Sequence, residues 1–295
     1  MKIIGKYISF ILIASIFQLS EMNASPQLSD YIVFEGDTSS CYNLLVESYL
    51  NQQNVKDEDK LFNLSFRNGA SLNCWRGYQA IYTIEKNELY LTAIINCGEL
   101  LNGNTINEEA SKNRMTELFS EKVIGNRVKV NWYNGLVSIP KGKTLRWDGV
   151  FYKIHMNEIL LSIDHGQVIK IEKATNYVDN PNGIDRLHRD SLSSILFKEV
   201  LKQKWKSKYD CSERFNITIN SKGIVDNIVM IDYQTQTEIE EAWDMKEYKY
   251  CIKKLKTAFK NLKFDIIKDK GIPIDEEVYI EIWFEDDGTI ENWTY

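Results

Sequence analysis

Proline is scarce in this 295-residue chain, with four residues at Pro26, Pro140, Pro181 and Pro273. That excludes a long proline-rich spacer of semi-rigid extended chain. Histidine is scarcer still, at three residues, which leaves little material for a metal centre or a general base. Neither a CxxC pair nor a neighbouring His pair occurs, so no zinc signature is present and no metal or cofactor is expected. A surplus of positive charge is missing too. With 36 basic against 42 acidic side chains the formal charge is −6, which provides no field to attract a phosphate backbone and argues against nucleic acid as a partner. The apolar run from Tyr7 to Leu19 has thirteen residues, where a spanning helix needs about 20, so no stable transmembrane anchor is expected.

That run does fit an export signal. Lys2 and Lys6 precede it, and the small residues of EMNASP follow it, with cleavage expected near Ala24. The expected mature protein, roughly 270 residues long, is large enough for two domains or one large one. Sixteen Tyr, twelve Phe and seven Trp suit half-buried strands. Five cysteines in an exported chain invite pairing, and the odd number leaves one over or joins another molecule. Cys74 and Cys97 bracket a hairpin pattern turning near Lys86 and Asn87. Cys211 opens a strand and Cys251 lies on the following helix, so a second crosslink could join helix to sheet. The alternative is that these cysteines are buried free thiols; the fate of Cys41 stays open.

The pattern predicts an α+β protein divided as signal 1–24, a mainly antiparallel β domain 25–174, a linker 175–189 and a smaller α+β domain 190–295. In the first domain, Asn134-Gly135 within VKVNWYNGLVSIP is the dipeptide of a type I′ hairpin turn. GVFYKIHMNEILLSIDHGQVIKIEK reads as three short strands separated by MNE and DHGQ. One helix, NEEASKNRMTELFSEKV, interrupts the series with Met115, Leu118 and Phe119 on its buried stripe. TNYVDNPNGIDR combines turn residues over a dozen positions and is the expected linker. Beyond it, Leu192, Ile195, Leu196 and Val200 recur at helical spacing to about Trp205. RFNITINSKGIVDNIVMIDYQ alternates about NSKG as a hairpin, and a longer helix is expected over 238–263. In VYIEIWF, Val278, Ile280, Ile282 and Phe284 share the face expected under the helix, while Glu277, Tyr279, Glu281 and Trp283 share the other. The last strand is expected at the edge of a three-stranded layer.

The order helix, hairpin, helix, strand, carried by FNITINSKGIVDNIVMI, LKFDIIKDKGIPIDEEV and VYIEIWF, resembles the C-terminal domain of TonB over roughly residues 190–290. The upstream stretches NCWRGYQAIYTIEKNELYLTAI and VNWYNGLVSIPKGK are similar to secreted proteins of Bacteroidetes-type bacteria that carry such a domain. That likeness implies an exported protein of the periplasm or cell envelope and brings no catalytic residues with it. In the TonB-like family the last strand adds a short peptide from an outer-membrane receptor to an open sheet edge. The resemblance therefore implies a protein or peptide partner of the envelope, with Tyr279, Glu281 and Trp283 as contact residues. Packing of Tyr279 and Trp283 against the first domain is the other reading. The chain lacks the long spacer of the true transducer, which argues against energy transduction.

No catalytic constellation stands out. HRDSLSSIL has Ile195 where a kinase catalytic loop has Asn. PKGKTL lacks the spacing of a phosphate loop, and FEDDG that of a calcium loop. His155 and His165 are expected at the ends of adjacent strands. The reading favoured is a non-enzymatic module that binds a peptide by strand addition at its C-terminal domain. Its rivals are an exported hydrolase-like enzyme with a site between the domains, and a purely structural envelope component.

Overall fold

The computed structural model describes residues 27–55, 60–62, 64–65, 72–103, 105–147 and 151–294. The expected signal segment 1–24 lies outside the described residues. The protein is a mixed α+β structure whose strands pair mostly antiparallel.

The first half begins with strands β1 (Asp30–Phe34) and β2 (Asp37–Cys41), helix α1 (Leu45–Gln52), and the short pair β3 (Lys60–Leu61) and β4 (Leu64–Ser65). Then come β5 (Tyr78–Glu85), β6 (Glu88–Asn96), helix α2 (Glu108–Phe119), β7 (Val128–Lys129), β8 (Gly135–Trp147), β9 (Lys153–Asp164) and β10 (Gln167–Thr175). The main sheet runs β2-β1-β5-β6-β10-β9-β8, with β7 also paired to β6. Every pairing in it is antiparallel except β1 against β5. Its apolar face buries Ile32, Leu91, Ile94, Val137 and Leu161 against Leu45 and Leu50 of α1 and Met115 and Phe119 of α2. Beneath them Asp30 and Arg76 form a buried ion pair at 2.9 Å, and Asp30 Oδ1 also accepts from the Ala80 amide. Lys86 and Asn87 take φ of 50° and 63°, the left-handed pair a type I′ turn requires. The same holds for His165 and Gly166 in DHGQ, at 45° and 76°.

Four expectations for this half change. MNE is not a break: Met156, Asn157 and Glu158 lie inside one continuous β9, because Glu158 turns inward and accepts from Asn176 Nδ2 at 2.8 Å. Asn134-Gly135 does not form the I′ turn, since Asn134 lacks positive φ and its Oδ1 instead accepts the His165 amide. β8 pairs with β9, not β7. A second helix, α1, is present; it lacks a side-chain cap, so no start signal marks it in the sequence.

The stretch expected as a linker is woven into the second half. Its strand β11 (Tyr177–Val178) pairs with β14 (Ile266–Asp269), which in turn pairs with β15 (Ile272–Pro273). Asn176 and Arg186 are fully buried. The remaining elements are helix α3 (Asp190–Leu201), β12 (Glu213–Ile219), β13 (Val225–Met230), α4 (Gln236–Ala242), α5 (Met245–Phe259), β16 (Glu276–Phe284) and β17 (Ile290–Asn292). The single helix expected over 238–263 is two, because the Asp244 carboxylate accepts from the Lys246 and Glu247 amides and starts α5 afresh. α3 ends at Leu201, short of Trp205, whose indole N–H donates to the Val200 carbonyl. Strands β13-β12-β16-β17 make one sheet, with α3 and α5 on a single face. There Leu192, Leu196, Leu255 and Phe259 meet Phe215, Ile217, Val278, Ile280 and Ile282. Each side chain so buried contributes about 1.5–3 kcal/mol. Disulfides join Cys74 to Cys97 and Cys211 to Cys251, and Cys41 is a buried free thiol.

Candidate functional site

An antiparallel sheet with helices on one face leaves the other to solvent. The outer face here carries alternate residues of β12, β13 and β16, and all three sequence-predicted contact residues stand on it. Tyr279 donates its hydroxyl to the Glu281 carboxylate. Burial, then that bond, pushes the phenol well above its ordinary value, so it stays a donor. Trp283 stacks on Trp293, with centroids 5.3 Å apart and planes at 23°, and both rings remain about two-fifths exposed. Next to Tyr279 on this face, Arg214 reaches Asp232 through Nε at 3.0 Å and Nη2. Farther out, Val229 and Ile231 are exposed apolar side chains. The aromatic partner of Trp283 is thus Trp293, not the first half.

Main-chain geometry decides which border of this sheet is open. The Ile231 amide donates to the Arg214 carbonyl, and the register Phe215↔Met230, Asn216↔Val229, Ile217↔Ile228 follows. In antiparallel pairing, residues exchanging hydrogen bonds alternate with residues whose amide and carbonyl face away. Val229 and Asn227 therefore bond β12, while Ile228 and Met230 turn their N–H and C=O outward. Among the described residues nothing pairs with that border of β13.

The border expected to be free, that of β16, is largely taken. β17 pairs Ile282↔Asn292, Trp283↔Glu291 and Phe284↔Ile290. The Trp293 amide donates to the Glu281 carbonyl, and the Glu281 amide donates to the Thr294 hydroxyl. Arg189 reaches the Glu277 carbonyl at 3.5 Å. Among the described residues, the Tyr279 peptide groups and the Glu277 amide have no main-chain partner on that side. β17 escaped notice in the sequence because TIENWTY is short and follows the charged turn FEDDG. The one usable signal was Gly288, which takes φ +85° in that turn.

The histidines do not assemble. His155 lies near the start of β9 and His165 in the turn after its end, so about 30 Å of strand separates them. His165 is exposed beside Asp164, and His188 is exposed. His155 is buried, stacked on Tyr42 at 5.9 Å, with Nδ1 4.0 Å from Glu158. Burial, then the charge of Lys153, holds its imidazole below the ordinary range. No group of three potential metal ligands occurs among the described residues, and no helix there is long and apolar enough to cross a membrane.

No family model matches the chain, and neither a curated protein nor a solved structure matches it.

Proposed function

We propose that this is an exported cell-envelope protein whose second half binds an extended polypeptide by adding it to the sheet as a further strand. The observation that carries the reading is the outward, unpaired main chain of Ile228 and Met230 on β13, flanked by exposed Val229 and Ile231. Strand addition takes affinity from such main-chain groups and specificity from alternate side chains. The element order and motifs that resemble the TonB C-terminal domain support the class of function. Two disulfides suit an oxidising compartment. The docking border, however, moves from β16 to β13, because β17 covers the former. Tyr279, Glu281 and Trp283 then lie on the same outer face but away from the docked strand, with β13 and β12 between.

Amide hydrogen exchange tests this directly. In the isolated protein, the Ile228 and Met230 amides exchange much faster than those of Asn227 and Val229. Adding the envelope polypeptide that the protein retains should slow both of the former. If they stay fast in the complex, the docking border is elsewhere.

An exported hydrolase is the second reading, favoured by one observation: His155 and Glu158 line a common cavity with Lys270 of the second half. Hydrolysis of an activated ester that disappears in His155→Gln would support it; the same rate in that variant would exclude it.

A further inference from the structure

The cavity around His155 has a volume of about 230 Å³, the share of liquid taken by seven or eight waters. It opens at the seam between the halves. Tyr42 and Asn43 form one wall, Ser138 of β8 and Lys153, His155 and Glu158 of β9 the floor, and Lys270, in the turn between β14 and β15, the far side. Phe151 and Tyr152 complete it with aromatic surface.

Its polar groups are unequally provided for. The Glu158 carboxylate already accepts from Asn176, and the Asn43 amide is engaged with the Leu136 carbonyl and the Ser138 amide. The Ser138 hydroxyl is buried without a hydrogen-bond partner among the described residues, an arrangement that costs about 1–3 kcal/mol. Lys153 has no carboxylate partner among the described residues. Its ammonium sits 5.1 Å from the centroid of Tyr42 and 5.4 Å from that of Trp147. Lys270 lies 5.3 Å from the Tyr152 centroid and pairs with Asp269 at 3.4 Å. Two ammonium groups, that of Lys270 also paired with Asp269 outside the lining, and an unsatisfied hydroxyl therefore share the cavity with one carboxylate, Glu158, that is already bound. What the cavity offers is donors and positive charge beside aromatic rings.

We infer that this cavity binds a small organic oxyanion, a carboxylate or a phosphate ester, whose charged end takes Lys153, Lys270 and the Ser138 hydroxyl while its apolar part lies against Tyr42, Phe151 and Tyr152. Charge-assisted hydrogen bonds of this kind are about twice as strong as neutral ones. Because Lys270 comes from the second half and the other donors from the first, an occupied cavity also ties the halves together. The inference is independent of the β13 border.

Calorimetric titration of the full chain with benzoate and with inorganic phosphate tests it. At least one of them should bind with saturation and raise the melting temperature. Lys153→Gln should weaken that binding about tenfold and Ser138→Ala about threefold, while Lys153→Arg stays near the parent. A preference for benzoate assigns a carboxylate ligand, and a preference for phosphate a phosphate ester. Should Lys153→Gln fold poorly, Lys270→Gln, at a half-exposed site, serves the same purpose. Saturation by neither anion, or binding unchanged in all these variants, overturns the inference.

Discussion

The Glu276 carboxylate lies 2.9 Å from Nη2 of fully buried Arg186, and the same carboxylate takes two bonds from Arg146 of the first half, one of them at 2.8 Å. One acidic group thus holds two buried guanidiniums across the seam, with Arg189 at 3.6 Å as a third, half-exposed neighbour. Losing one partner of a buried ionic group strands the rest. Glu276→Gln should cost about 3–5 kcal/mol in urea unfolding, and the melting of both halves should fall together. A loss below about 1 kcal/mol would show that the guanidiniums find water instead.

The pH dependence of stability should show two acid steps. Burial pushes the Glu276 carboxyl up, but the bonds and charges of Arg146 and Arg186 outweigh it and hold its pKa below the ordinary value of about 4.5. As pH falls, the unfolded chain binds this proton first, so the stability is whole above about 4.5 and drains away below it. For His155 the folded pKa is also depressed, from 6.5, so stability is whole above 6.5 and declines as pH drops beneath it. Thermal melts in a pH series check both: His155→Gln removes the upper step, and Glu276→Gln shrinks the lower.

Gly223 takes φ +74°, and a Cβ there would lie 2.2 Å from the Phe264 carbonyl oxygen, in backbone rather than in a side chain that could swing away. The Phe264 amide donates to the Gly223 carbonyl at 2.8 Å, tying the hairpin turn to the strand after α5. Gly223→Ala should therefore cost about 3 kcal/mol or more, read by chemical denaturation, because strain and a lost bond combine.

The Cys211–Cys251 bridge closes a separation of 40 residues and Cys74–Cys97 one of 23. Loop-closure entropy puts the contribution of each at about 3–4 kcal/mol, so reduction should lower the melting temperature well below that of the oxidised protein. Cys41 behaves differently: burial, then the charge of Asp30, pushes its thiol up to about 12. It should resist a thiol reagent in the native protein and react once the chain unfolds. Fast native labelling would contradict the buried position.

A positive charge on an exposed edge is a standard guard against strand pairing. Val229→Lys should abolish retention of the polypeptide partner while moving stability by no more than about 0.5 kcal/mol, since the side chain is exposed. Trp283→Ala, on the opposite border, should retain it.

Much of this fold is legible residue by residue. The alternation Val278, Ile280, Ile282 marks a half-buried strand because its period of two leaves no other register, and Lys86-Asn87 marks its hairpin through a turn that requires positive φ. Asn134-Gly135 carries the same local signal and misleads, since a tertiary bond from the His165 amide and the pairing of β8 with β9 override it. Asn176 and Arg186 look like linker residues because their burial depends on Glu158, Asp265 and Glu276, all distant in sequence. The contact residues of β16 were readable as one face; the closure of their border by β17 was not, because that strand, though it follows as a local hairpin, has three residues and is too short to show an alternation.

The parallel match of Tyr31–Val33 with Ile81–Thr83 sets an order of assembly. The opening ribbon of β1 and β2 can form alone as soon as it is made, yet its neighbour in the sheet, β5, exists only after some forty more residues have arrived. Until then Asp30 has no Arg76 to neutralise it, so the ribbon stays wet and reversible, and the sheet seals only when that cation docks.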